Sequence, residues 1–253
     1  MDLTFSTLAD RPELIGQVWA MPDQWDEFMD HDPIGESLFG PVVRSFRQLG
    51  VVATTGDDTI VGHGTAMAFR MDADGRRSLP DRGWDQALIW AHADIVNGVE
   101  PDTACALEVS VHTDWLGQGL SEQLFGALRR ASAAAGFSTL LAPVRPSAKH
   151  LEPDTPMSEY AYRTRDDGLP VDPWLRVHAR LGGVIEGIAT ASQTIAGSLD
   201  DWRSWSSVTL EGSGTTVLPG GLVPLHVLAD QGVAVYVEPN VWVRHDLVAD
   251  LDG

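Results

Sequence analysis

The chain is poor in cysteine and in basic residues. It has 253 residues and a single cysteine, Cys105, which excludes an internal disulfide. Cys105 lies in the apolar run TACALEV, a setting that favours a buried, inert thiol over a catalytic nucleophile. Lysine and arginine number 17 against 36 aspartates and glutamates, giving a formal net charge of -19. Because nucleic acids and anionic lipids are bound by basic surfaces, this charge argues against either as a partner.

The sequence also lacks an apolar run of the about 20 residues that a membrane-spanning helix needs. Its first residues, MDLTFSTLADRPEL, have no basic start followed by an apolar block, so they do not indicate a signal peptide. With 43% hydrophobic residues the chain can nevertheless bury a substantial core. We therefore expect a soluble, cytoplasmic globular protein.

The signatures of several common enzyme classes are missing as well. The eight histidines are scattered without the spacing of metal ligands, so we predict no metal site. The sequence contains neither the Gly-x-Ser-x-Gly elbow of hydrolases nor the Gly-Lys-Ser of a Walker-type nucleotide phosphatase. Any chemistry must therefore come from another arrangement of residues.

Helices and strands alternate through most of the chain, and strands dominate its last part. The apolar periodicity and the capping residues predict helices in DRPELIGQVWAM, DQWDEFMD, RGWDQALIWAHADIVNG, the segment from Leu120 to Gly136, DPWLRVHARLGG and SLDDWRSW. Runs rich in apolar and β-branched residues predict strands in LTFSTL, Val51 to Thr54, Thr59 to Met71, TACALEVSV, STLLAPV, VIEGIATASQTIAG, Leu222 to Leu228 and Val233 to Val237. A long polar loop, from Arg145 to Val171, separates two of these elements.

One junction between a predicted strand and a predicted helix carries two glycines. It reads VHTDWLGQGLSEQLFGAL, from Val111 to Leu128, and contains no lysine or arginine. A turn without Cβ atoms lets backbone N–H groups point into one concavity, and the following helix adds its free first-turn donors and dipole. Such a junction can bind a phosphate or pyrophosphate without a basic side chain. A plain tight turn is the alternative explanation.

The order of elements around this junction resembles that of the GNAT acyltransferases. In that family Arg-x-x-Gly-x-Gly/Ala lies between the fourth strand and the next helix, and VHTDWLGQGLS is similar to its V-x-P-x-x-R-G-x-G-x-G. Gly117 and Gly119 match, whereas Leu116 stands in place of the arginine and Ser121 in place of the last glycine or alanine. The hairpin DDTIVGHG, the strand STLLAPV and the segment VHARLGG extend the resemblance, which covers roughly Leu3 to Thr190.

The resemblance implies an α/β, GNAT-like fold with a mixed, mostly antiparallel central sheet flanked by helices. Residues 1–190 would form the acyl-CoA-binding core. Residues 191–253 would form a β-rich C-terminal extension that packs on the core or lies at the edge of a homodimer.

The resemblance also implies acetyl-CoA as co-substrate, held by backbone groups. The residues facing the pantetheine would be Val109 and Val111, and those facing the pyrophosphate would be Gly117, Gln118, Gly119, Leu120 and Ser121. Loss of the family's arginine at Leu116 should weaken CoA binding or make it depend on Lys149 or Arg145.

Acyl transfer to an amine needs a base, because an amine with a pKa near 10 is mostly protonated at neutral pH. Glu108 is the first candidate, since a carboxylate inside an apolar strand costs free energy unless it is paired or used. A solvated edge position or a salt bridge for Glu108 is the alternative. Asp26, Glu27 and Asp30, on a helix that borders the acceptor site in the family, suit a cationic acceptor, although such a run is also typical of a solvated face.

The departing thiolate needs a proton or a hydrogen-bond donor. The family often supplies a tyrosine four residues before the glycine of its LGF motif, and counting back from Gly182 leads to His178. A histidine can donate or accept a proton near neutral pH, although a histidine on a helix face is more often structural. Tyr160 and Tyr162 in the long loop are the fallback donors, and a role as lid or packing groups is the equal alternative for them.

The resemblance therefore predicts an N-acetyltransferase that moves an acetyl or related acyl group from acyl-CoA to an amine of a small molecule. A non-catalytic acyl-CoA-binding or sensing module is the alternative, because Leu116 replaces the arginine, the tyrosine is missing and the chain has a long extension. O-acylation and a longer acyl chain remain open, and no motif identifies the acceptor.

Overall fold

One mixed sheet runs through the computed structural model, which describes residues 3–73 and 75–247. Neighbouring strands are antiparallel except for one parallel pair, and the order across the sheet is β1-β2-β3-β4-β5-β9-β8-β7, with β6 also pairing with β9. The strands are β1 (Thr4–Thr7), β2 (Val51–Thr54), β3 (Ile60–Phe69), β4 (Thr103–Val111), β5 (Thr139–Val144), β6 (Val184–Ser198), β7 (Gly214–Thr216), β8 (Leu225–Leu228) and β9 (Val233–Asp246).

Helices cover the sheet. The α-helices are α1 (Ile15–Val18), α2 (Pro33–Ser45), α3 (Gly83–Asn97), α4 (Leu120–Ala134), α5 (Met157–Tyr160), α6 (Pro173–Arg180) and α7 (Leu199–Trp205). Short 3₁₀ turns span Pro12–Leu14, Glu27–His31, Arg47–Leu49, Thr113–Trp115, Lys149–Leu151 and Ala229–Gln231. None of the helices within the described ranges is both long enough and apolar enough to cross a bilayer.

The first third of the chain departs most from the sequence-based expectations. The segment DQWDEFMD forms only the 3₁₀ turn Glu27–His31, and Asp10 hydrogen-bonds with Thr7 instead of capping a helix. The longest helix there, α2, was not predicted, although Asp32 caps it by accepting from the N–H groups of Ile34 and Gly35. Pro41 inside α2 and its glycines obscure the helical pattern.

Several later elements lie where the pattern predicts them, although β9 continues to Asp246, beyond the predicted end at Val237, and β7 and α5 were not predicted. Gly98 ends α3 in the left-handed conformation, Asp172 caps α6 before Pro173, and Ser198 caps α7. Cys105 is fully buried in β4, as expected for an inert thiol, and burial raises its pKa.

β4 and β5 diverge to form a wedge in the middle of the sheet. Their parallel pairing consists of Ala104 with Leu140 and Cys105 with Leu141. Beyond these pairs β4 stays bound to β3 as far as Val111, whereas β5 pairs with β9. A bulge in β4 accompanies the divergence, because the register with β3 shifts between Glu108 and Ala106. One edge of β4 is therefore left open.

The glycines of β3 bring α4 close to the sheet. A Cβ at Gly62 would lie 2.7 Å from Leu124 Cδ1, and a Cβ at Gly64 would lie 2.8 Å from Leu128 Cδ1. Because these positions carry no side chain, α4 packs directly on β3. This close packing places the first turn of α4 next to the end of β4.

β9 joins the last part of the chain to the sheet. It pairs with β5 through Val241 to Asp246 and with β6 along most of its length. The boundary predicted at residue 190 falls inside β6, and the described residues after it continue the same sheet. Residues 248–253 of the predicted extension lie outside the described residues.

Candidate active site

The wedge between β4 and β5 holds a cleft of about 740 Å³. Its lining comes from β4 and β5, from the turn around Gly117 and Gly119, from the segment before α2 and from α6. The residues that matter most in its lining are Asp23, Trp25, Asp26, Trp84, Glu108, Val109, Ser110, Val111, Leu116, Gly117, Gly119, Leu120, Ser121, Arg145 and His178.

The open edge of β4 presents backbone groups to the cleft. The N–H of His112 donates to Val61 on β3, so the backbone groups of Ser110, two residues earlier, face β3 as well. The alternation leaves the backbone groups of Val109 and Val111 directed at the open edge. These are the two residues predicted to pair with pantetheine, and both line the cleft.

The glycine turn is shaped by two left-handed residues. Gly117 and Gly119 each have φ of +74°, a conformation that strains residues with a Cβ, and both face open space. Gly119 is the N-cap of α4 and no side chain caps the helix, so its first-turn N–H groups stay available. Leu120 and Ser121 line the cleft with the glycines, whereas Gln118, also predicted to bind, does not.

The basic residues predicted to replace the missing arginine are engaged elsewhere. Lys149 is buried and its ammonium donates to three backbone carbonyl groups at 2.6 to 3.3 Å, including that of Leu222. Burial lowers the pKa of Lys149. Arg145 lies in the cleft wall, where its Nε donates to both carboxylate oxygens of buried Glu238 at 3.1 Å. Neither side chain is therefore free to take the role of the family's arginine, which Leu116 replaces.

Glu108 lines the cleft on the face of β4 opposite α4. Burial raises the pKa of Glu108 to about 8, and the negative charges of Asp23 and Asp30 add to the rise. Its Oε1 lies 3.3 Å from Nδ1 of His63. A carboxyl group with this pKa exists in both protonation states near neutral pH, so it can accept a proton from a bound amine.

His178 lies on α6 and also lines the cleft. Its Nδ1 is 2.9 Å from Nε2 of His245 on β9, and its ring packs on Phe125. Burial, together with nearby His245 and Arg129, holds the pKa of His178 well below its usual value of 6.5. His178 is therefore neutral at neutral pH, where it can donate a hydrogen bond but does not act as an imidazolium acid.

Tyr160 is placed away from the cleft. Its hydroxyl donates to Asp172, the N-cap of α6, at 3.0 Å. Burial and the charge of Asp172 raise the pKa of Tyr160. Neither Tyr160 nor the exposed Tyr162 lines the cleft. The structure thus brings Glu108 and His178 to one cavity and leaves Tyr160 in a structural hydrogen bond.

Acidic residues from the segment before α2 also line the cleft. Asp26 lines it, whereas Glu27 and Asp30 of the same predicted run do not. Asp23 also lines the cleft, and the indole N–H of Trp25 donates to Ser110 Oγ at 2.9 Å, which fastens this segment to β4.

Sequence reasoning missed several lining residues. Ser110 could have been found, because it lies two residues after Glu108 and therefore on the same face of β4. Trp84, whose Nε1 donates to the carbonyl of Leu107 at 3.1 Å, had no motif to mark it. Gln193 and Asn240 come from β6 and β9, and no local pattern links these strands to the cleft. In the described ranges, no three His, Cys, Asp or Glu side chains are grouped to hold a metal ion.

Comparison with known sequences gives one informative relative. No protein-family model matches the chain. The arginine N-acetyltransferase avaD of Aspergillus versicolor is 29% identical over 276 residues, which cover 96% of this chain and 94% of that protein.

Comparison with solved structures identifies the fold. The loading GNATL domain of CurA from Lyngbya majuscula aligns with a TM-score of 0.59 and 19% identity over 97% of each chain. The GphF GNAT-like decarboxylase, solved in complex with isobutyryl-CoA, aligns with a TM-score of 0.52 and 14% identity over 98% of this chain and 100% of that one. These two structures share the fold of this chain, so the GNAT-like fold predicted from the sequence is confirmed.

Proposed function

We propose that this protein is an N-acyltransferase that moves an acetyl or related acyl group from acyl-CoA to an amine of a small molecule. The observation that carries the proposal is the cleft itself. It joins a turn of free backbone donors at one end to a buried carboxyl group of raised pKa, Glu108, at its wall.

The CoA side of the cleft is supported by backbone geometry. The turn at Gly117 and Gly119 and the uncapped start of α4 offer N–H donors to a pyrophosphate. The open edge at Val109 and Val111 offers strand-like pairing to the two amide groups of pantetheine. With Leu116 in place of arginine, the charge of a guanidinium is absent, and the backbone N–H groups and the dipole of α4 carry the recognition.

The reaction that fits these groups is direct attack on the thioester. Glu108 accepts a proton from the bound ammonium, directly or through water, and the amine nitrogen attacks the thioester carbonyl carbon. The carbon–sulfur bond then breaks, and the acyl group stays on nitrogen. His178 is the candidate hydrogen-bond donor to the departing sulfur; this role requires its one N–H on Nε2, with Nδ1 accepting from Nε2 of His245.

We further propose that the acceptor is cationic. Asp23, Asp26 and Glu108 line the acceptor end, and the formal net charge of -19 attracts positive ligands. The curated relative is named an arginine N-acetyltransferase, which supports an acceptor of the basic amino acid class. Trp25 and Trp84 lie in the same wall, where the Arg145 guanidinium is 5.8 Å from the centre of the Trp25 ring and Phe39 stacks on Trp84.

A steady-state assay of thiol release tests the proposal. The purified protein is mixed with acetyl-CoA and arginine, lysine or neutral amines of similar size, and the cationic amines should release more thiol. Glu108→Gln should lower kcat/KM by roughly 100-fold or more, because it removes the base. Its matched control is Glu36→Gln, an exposed position on α2 outside the cleft.

A thermal-shift titration with CoA separates the possible failures. Stabilisation by CoA without thiol release from any amine would overturn catalysis and favour the second candidate, a non-catalytic acyl-CoA-binding module. Leu116 and the low pKa of His178 are the observations that favour that candidate. No stabilisation at millimolar CoA would overturn both.

A further inference from the structure

The segment Gly62-His63-Gly64 of β3 turns one histidine toward the acceptor side of the sheet. The two glycines lie against Leu124 and Leu128 of α4. Because side chains alternate along a strand, the imidazole between them points to the opposite face. Glu108 and Ser110 of the neighbouring strand β4 have their side chains on that same face.

The imidazole meets the carboxyl group of Glu108 there. Nδ1 of His63 lies 3.3 Å from Oε1 of Glu108, and the exposed fractions of the two side chains are 4% and 18%. Both atoms are buried, and neither has a hydrogen-bond partner elsewhere. Two buried acceptors facing each other without a proton would cost free energy, so a proton must lie between them.

We propose that His63 is a positioning residue, whose Nδ1–H donates to Glu108 Oε1 and leaves Oε2 to face the acceptor amine or a relaying water. This inference rests on the proposed function of Glu108 as the base. A carboxylate held by one oxygen has a fixed orientation, which is what proton transfer from a bound substrate requires. His63 itself touches neither substrate in this scheme.

The charges around the pair agree with this arrangement. His63 is covered by the ring of Trp19, and burial lowers its pKa to about 4, so the imidazole is neutral and carries one N–H. The titratable groups near Glu108 are Asp23, Asp30 and His63, and of these only His63 can donate a hydrogen bond. Thr65, the cross-strand partner of Glu108, also has a buried hydroxyl without a hydrogen-bond partner, but no contact with the carboxyl group is seen for it. Removing that donor should raise the pKa of Glu108 further, because its carboxylate loses the group that stabilises it.

The tautomer of His63 can be measured without any turnover. In protein labelled with ¹⁵N-histidine and free of substrates, His63→Asn identifies the signals of His63 by their loss. At a pH above the pKa of Glu108, we expect Nδ1 protonated and Nε2 bare, and Glu108→Ala should remove this preference. A proton on Nε2 with Nδ1 bare would overturn the inference even if the protein transfers acyl groups. The expected tautomer in a protein without activity would refute the proposed function alone.

Kinetics then test whether the contact matters. His63→Leu should lower kcat about 10-fold, leave KM for acyl-CoA unchanged, and move the acidic limb of the kcat/KM profile up by about one pH unit. His63→Asn, which keeps a donor near Nδ1, should recover part of the loss.

The control variant is Met67→Leu, a volume-conserving change at a buried position on the same strand face. In a Glu108→Gln background, His63→Leu should have no further effect. Unchanged pH profiles for both His63 variants, or additive losses in the double variant, would overturn the inference. Should His63→Leu not fold, His63→Asn and the tautomer measurement decide.

Discussion

Asp32 and Asp85 place two carboxyl groups side by side in the protein interior. Asp32 caps α2, and Asp85, in the first turn of α3, shares a hydrogen bond with it. Burial raises the pKa of Asp85 to about 8, and the charge of Asp32 adds to the rise. Gln193, which lines the cleft, donates to Asp32 at 3.4 Å. The Asp32–Asp85 pair therefore contacts the cleft wall through Gln193.

The raised pKa of Asp85 gives a stability that depends on pH. Between about pH 4, where Asp85 ionises in the unfolded chain, and about pH 8, the folded state holds one more proton. The free energy of unfolding therefore falls as pH rises through this window. Asp85→Asn should reduce the slope of the free energy of unfolding against pH by about 1 kcal/mol per pH unit. Urea unfolding at about pH 5 and about pH 7 measures this slope.

Asp85→Asn keeps an oxygen that can accept from the backbone N–H of Thr194. The matched control is Glu211→Gln, an exposed carboxyl group whose replacement should leave the slope unchanged. Equal slopes for Asp85→Asn and the parent protein would contradict the assignment of the buried proton.

At the scale of elements, the turn before α4 combines backbone N–H donors suited to a pyrophosphate with an apolar side chain. Leu116 lines the cleft and is 39% exposed. Leu116→Arg should tighten CoA binding several-fold, because a guanidinium beside the turn adds a charge-assisted hydrogen bond to phosphate. The tightening should weaken as salt is added, and a calorimetric titration at two salt concentrations measures both effects.

Val96→Arg is the control for this change. Val96 lies on α3 outside the cleft and is 69% exposed, so it receives the same charge at a distant surface. If the two variants bind CoA equally well, the gain comes from the reduced net negative charge and not from the turn.

Local patterns predicted the elements that build the turn, and they predicted less of what surrounds it. β4 is a continuous apolar run and α4 is strongly periodic, so both were found along with Gly117 and Gly119. α2 was missed because Pro41 and two glycines interrupt its pattern, despite the cap at Asp32. The wedge and the bulge at Glu108 depend on pairing between strands, and the sequence of one strand does not encode its partner.

Local sequence patterns predict even less of the proposed acceptor end of the cleft. Its wall combines Asp23 to Asp26, Gln193 and Asn240, which lie far apart in the chain. Only Asp26 was singled out beforehand, from a run of acidic residues. The predicted roles of Lys149, Arg145 and Tyr160 depended on nearness in sequence, whereas the structure pairs them with carbonyl groups, Glu238 and Asp172.

At the scale of the whole molecule, the net charge of -19 should act oppositely on the two substrates. Acyl-CoA is an anion and is repelled, whereas a cationic amine is attracted. Added salt screens both effects, since the Debye length falls to about 8 Å at physiological ionic strength. KM for acyl-CoA should therefore fall with salt and KM for the cationic amine should rise.

A neutral amine of similar size is the control for the salt series, because its KM should change little. Measurements with a non-interacting salt such as sodium chloride are sufficient. KM values that change in the same direction for acyl-CoA and the cationic amine would contradict a dominant role of the net charge.

The position of β9 has a consequence for how the chain assembles during synthesis. β9 is translated after β5, β6 and β8, yet it lies between them in the sheet. Until it emerges, β5 is held to β4 by only the pairs at Leu140 and Leu141, and its other edge is bare. A bare strand edge is a template for pairing with other chains. A nascent chain therefore carries this exposed edge of β5 until β9 has been translated.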